Sequence, residues 1–140
     1  MWIKVNNHEE LQEGDILELN TDYPFLLHYA VVVIENNKKK CAHYPYPKSP
    51  CIENLDYVIN NRPDSTIRRV LRTGVSSKDI IDNHNKIEMS SKENFFYWLS
   101  KYNCEDYVRQ VTENGVGVDQ RVTALLVFII IIFVLILIFK

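Results

Sequence analysis

The stretch HYAVVVIENNKKKCAHY, His28 to Tyr44, decides how this chain folds. Its first half, HYAVVVIE, is rich in β-branched residues and reads as a strand. Asn36-Asn37 follows, a dipeptide that tolerates left-handed turn angles. KKKCAHY then reads as the return strand, stopped by the prolines of YPYPKSP, which cannot sustain a ladder. A two-residue loop pairs Glu35 with Lys38 and sets His43 opposite Ala30. Side chains alternate along a strand, so His28 and His43 then project from one face as diagonal neighbours. A four-residue loop keeps this register, whereas a three-residue loop sends the two imidazoles to opposite faces.

Outward from the hairpin, GDILEL (14–19), DYVI (56–59) and TIRRVLR (66–72) read as further short strands. SSKDIIDNHNKIEM (76–89) reads as a helix opened by a serine cap. ENFFYWLSKY (93–102) fits a helix or an extended segment. A last helix is expected from about Cys104 to Asn114, with Gly115 as its stop. Strands come first and helices later. The expectation is an α+β fold, with an antiparallel sheet and helices packed on one face.

The chain has 140 residues, with 16 Lys and Arg against 18 Asp and Glu. Lys140 is the only charge after Arg121, so the rest of the chain is mildly acidic. That argues against a nucleic-acid partner and against a strongly basic membrane-binding patch. From Val122 to Phe139 the sequence is VTALLVFIIIIFVLILIF, with one threonine and no charge. As a helix it would extend roughly 27 Å, close to the hydrocarbon thickness of a bilayer. The expected organisation is a domain over 1–114, a linker over 115–121 and a transmembrane tail anchor over 122–139. MWIKVNNHEE has no apolar run of signal-peptide type. The expected location is the cytosolic face of an intracellular membrane.

Cys41, Cys51 and Cys104 are odd in number and widely spaced, which fits a reducing compartment better than a disulfide framework. Cys41 and His43 share strand parity, but the sequence offers them no obvious third and fourth metal ligands. Cys41 reads as strand packing and Cys51 as an exposed loop thiol. No cofactor and no metal are expected.

Cys104 is the residue that carries chemistry. If the helix begins there, Asn103 is its N-cap. A thiol in the first turn lies near the positive end of the helix dipole and near unsatisfied backbone N–H groups. Both favour the thiolate, which is the nucleophile. Such a nucleophile needs an imidazole and a group to orient it. His8 and His84 lie in polar stretches that read as solvated. His28 and His43 lie together on the hairpin.

These residues carry a resemblance. GDILEL, then HYAVVV, AHYPYP, NCEDYV and GVGVDQ ahead of an apolar tail resemble the lecithin:retinol acyltransferase family. The order is most similar to the H-ras-like suppressor branch of small phospholipase A/acyltransferases. The likeness runs over nearly the whole chain and is weakest from about Cys51 to Ser100. It implies a permuted papain-like (NlpC-type) fold. Cys104 would be the nucleophile, His28 the general base and His43 the group that orients His28. Asn103 and the backbone N–H of Cys104 would serve the oxyanion. The implied substrate is a glycerophospholipid ester in a membrane, cleaved through an acyl-thioester that passes to water, an amine, a lysophospholipid or an alcohol. Tyr29 stands where that family has tryptophan, and Asp106 where its NCE box continues with histidine. Two other functions fit the same residues: a non-catalytic interaction module, and a cysteine peptidase or amidase.

Overall fold

The computed structural model describes residues 1–5, 7–22, 26–45, 48–60, 67–87, 103–113 and 120–139. The central hairpin is β3 (Leu27–Glu35) and β4 (Lys38–His43). Asn36 and Asn37 take φ values of 52° and 59°, both left-handed. Such a pair gives a two-residue turn whose twist matches that of the flanking strands. The register follows: Glu35 pairs with Lys38, and His43 with Ala30.

On one side of the hairpin, β2 (Asp15–Asn20) pairs with β3, and β6 (Ile67–Arg72) with β2. The two-residue β1 (Trp2–Ile3) closes that edge. On the other side β5 (Cys51–Asn54) pairs with β4. Among the described residues the sheet is six-stranded and antiparallel throughout, in the order β1-β6-β2-β3-β4-β5. Gly14 precedes β2 at φ 77°, and a Cβ there would lie 2.4 Å from the Val75 carbonyl oxygen. Only glycine fits that approach.

Alternation along the strands builds a core on each face. Ile16, Tyr29, Val31, Val33 and Ala42 pack with Ile80 of α2 (Ser77–Lys86). Cys104, Tyr107, Val108 and Val111 of α3 (Cys104–Thr112) join the same cluster. Leu17, Leu19, Ala30, Val32, Cys41 and Val70 pack instead with Leu55, Val58 and Ile59 of α1 (Leu55–Asn60). The expectation of helices on one face is therefore corrected. α2 and α3 cover one face and α1 the other. DYVI is helix rather than strand, because Leu55, Val58 and Ile59 recur at helical spacing and bury one side of α1.

One row crosses three strands. Arg69 of β6 donates to both carboxylate oxygens of Glu18 on β2, each at 2.8 Å. Glu18 also accepts from the Tyr29 hydroxyl of β3 at 3.1 Å. These bonds satisfy a fully buried carboxylate. Arg69 also stacks on Trp2, 4.4 Å from the ring centre, which ties β1 to the sheet.

The expected transmembrane anchor is corrected, and with it the location drawn from that anchor. Among the described residues no helix is long and apolar enough to cross a membrane. The last helix, α4 (Gln120–Ile138), opens with Gln120 and Arg121. The polar start and the end at Ile138 leave a shorter apolar run than the sequence suggested. The segment 93–102 and most of the linker lie outside the described residues.

Candidate active site

The site begins at the open end of the β3–β4 hairpin. His28 is the second residue of β3 and His43 the last of β4. Both are 3 % exposed. The rings meet edge to face, with Nε2 of His28 3.0 Å from Nδ1 of His43. The far nitrogen of His43, Nε2, lies 3.1 Å from a carboxylate oxygen of Glu53 and 3.6 Å from Sγ of Cys51.

Strand β5 builds this flank. Cys51 pairs directly with His43 and Glu53 with Cys41, so Cys51 and Glu53 stand on the same face as the imidazoles. The expectation of an exposed loop thiol at Cys51 is corrected, since Cys51 is half-buried in β5, and Glu53 was missed because CIEN was not recognised as a strand. It follows a proline-rich segment and is only four residues long. Burial and the neighbouring Glu53 carboxylate push the Cys51 thiol up to about 11.

The carboxylate of Glu53 can only accept a hydrogen bond. Nε2 of His43 therefore carries the proton, and Nδ1 of His43 accepts. His28 must then donate from Nε2, which leaves the basic lone pair of its ring on Nδ1. Glu53, His43 and His28 form a relay that fixes one tautomer at each ring.

Cys104 opens α3. Asn103 is its N-cap, and Oδ1 accepts the N–H groups of Glu105 at 2.9 Å and Asp106 at 3.2 Å. Asp106 returns the bond by accepting the Asn103 N–H at 3.1 Å, which completes a capping box. This accounts for an aspartate at that position, since a carboxylate suits both the box and the dipole. Because Oδ1 takes two backbone donors, the remaining amide atom of Asn103 is a donor. That atom, Nδ2, is buried and has no hydrogen-bond partner among the described residues.

The structure brings His28 and His43 into contact, and it brings Cys104 to the same end of β3. Sγ of Cys104 lies 3.9 Å from the Leu27 carbonyl oxygen, one residue before His28. The approach is not from one side. Cys104 packs with Tyr29 and Val31, while alternation sets His28 with Ala30. Thiol and imidazoles therefore lie at the same end of β3, approached from its two faces. Cys104 is fully buried.

His84, expected to be solvated, is half-buried and bonds through Nδ1 to the Tyr107 hydroxyl at 2.8 Å. His8 lies in an exposed 3-10 turn, His8–Glu10. Compared with family models, curated proteins and solved structures, the chain gives no match.

Proposed function

We propose that this protein is a cysteine-dependent acyl-transfer enzyme acting on ester-linked acyl chains, as the resemblance to the lecithin:retinol acyltransferase family implies. The observation that carries the reading is the orphaned Nδ2 of Asn103, a buried donor next to the capped thiol. Such a donor is costly unless something uses it. The oxyanion of a tetrahedral intermediate is what a preorganised donor beside a nucleophile can serve.

The steps are these. Nδ1 of His28 takes the Cys104 proton, and the thiolate attacks the ester carbonyl. The Asn103 amide and the backbone N–H of Cys104 stabilise the oxyanion. The C–O bond breaks, the leaving alkoxide takes the proton from His28, and an acyl-thioester remains. Water or another acceptor then gives its proton to His28 and attacks the thioester. Acyl product leaves and the thiol regains its proton. His43, held by Glu53, keeps His28 in the tautomer that both steps need.

The exposed apolar residues of α4, from Leu125 to Ile138, favour an acyl-chain substrate over a peptide. A glycerophospholipid is the substrate class that the resemblance adds. One observation favours the non-catalytic module instead, namely that Cys104 is completely buried. Incubation with a defined phosphatidylcholine separates the two. The enzyme gains one acyl chain on Cys104 and releases lysolipid, and the module does neither.

A further inference from the structure

The flank of the imidazole pair has a property that the relay does not use. Nε2 of His43, Sγ of Cys51 and a carboxylate oxygen of Glu53 all lie within 4.8 Å of one another. Nitrogen to oxygen is 3.1 Å and nitrogen to sulfur 3.6 Å. Tetrahedral zinc, with bonds of about 2.0–2.1 Å to N and O and about 2.3 Å to S, spaces its ligands about 3.3 and 3.6 Å apart. The atoms stand close to those separations without repacking. Cys51 and His43 are a cross-strand pair, and Glu53 is two residues along the same face, so the ladder fixes all three. β5 is an edge strand, and Glu53 is 30 % exposed at its side chain. A fourth position can therefore be reached by water. One imidazole, one thiolate and one carboxylate suit a borderline-soft divalent ion better than magnesium or calcium.

We infer that His43, Cys51 and Glu53 form a zinc-class divalent metal site, and that its occupation switches off the general base. The second half rests on the acyl-transfer reading above. Metal binding uses the Nε2 lone pair of His43 and expels the Cys51 thiol proton to solvent. The proton of neutral His43 then resides on Nδ1. A metal-bound imidazole donates its other N–H to an acceptor, and here that acceptor is Nε2 of His28, 3.0 Å away. The His28 proton consequently moves to Nδ1, the nitrogen that must receive the thiol proton. No proton is lost from either imidazole; both tautomers are reversed. The same Glu53 that holds the relay in its active sense becomes a metal ligand in the inactive one.

The test uses full-length protein and Co2+ as the probe, with intact-mass detection of the acyl-enzyme run in parallel. Wild type should take up one Co2+ and show a thiolate-to-cobalt charge-transfer band, which Cys51→Ser abolishes and Glu53→Gln weakens. Circular dichroism and melting of both variants report that they are folded. Adding Zn2+ should lower acylation by phosphatidylcholine about tenfold or more in wild type. In Cys51→Ser the ratio of acylation with and without Zn2+ should approach one. Absence of the band, or its persistence in both folded variants, overturns the site. The band with acylation indifferent to Zn2+ overturns the switch. The band with no acylation even in metal-free protein leaves the site standing and removes the acyl-transfer reading instead.

Discussion

Nε2 of His28 and Nδ1 of His43 stand 3.0 Å apart at the end of the hairpin that holds both residues. The contact exists because Asn36 and Asn37 form a two-residue turn and Glu35 therefore faces Lys38. Shifting either strand by one residue would reverse the face of one ring.

The relay predicts a specific defect for Glu53→Gln. The amide can turn its NH2 toward Nε2 of His43 and accept the other tautomer. Acylation of Cys104 should fall about 10–100-fold, with an altered pH profile and an unchanged fold. Glu53→Asp should recover part of the rate. Single-turnover acylation across pH checks this, and a profile matching wild type would remove Glu53 from the relay.

The turn predicts opposite effects at one place. Asn37→Gly should be neutral or slightly stabilising, because glycine adopts φ 59° without steric cost. Asn37→Val should destabilise by about 1–2 kcal/mol, since a β-branched residue is forced into the left-handed region. Urea midpoints of the two variants measure the difference.

The capping box predicts that Asp106 contributes to stability. Asp106→Ala removes the acceptor for the Asn103 N–H and a first-turn negative charge. The expected loss is about 1 kcal/mol. Asp106→Asn, which keeps an acceptor, should lose less. Equal losses would assign the effect to charge alone.

His84 predicts a pH dependence of stability. Burial holds its imidazole below the usual histidine value, while it bonds to Tyr107 and joins α2 to α3. The unfolded chain therefore binds the proton more readily than the folded one. Stability from this residue is full above the ordinary histidine pKa near 6.5 and falls as pH drops through the lower folded value. In His84→Gln that part of the acid slope should vanish. Chemical denaturation between pH 7.5 and 5 checks it.

The central hairpin and the histidine face were legible because β-branched runs, a turn dipeptide and alternation agree there. Cys104 and its cap were legible from three adjacent residues. Glu53 and Cys51 were not, since pairing with β4 is non-local and nothing within CIEN announces it. α1 was misread because DYVI has strand-like composition, while the helical spacing emerges only once Leu55 is included. The membrane anchor was overdrawn from composition, which counts apolar residues but not where the helix begins and ends.

The most direct measurement is the intact mass of full-length protein after incubation with a defined phosphatidylcholine, for wild type, Cys104→Ala and His28→Ala. Wild type should gain one acyl chain that hydroxylamine removes, and both variants should gain none. Folded wild-type protein that neither acquires the acyl chain nor releases lysolipid would contradict the thiol acyl-transfer account.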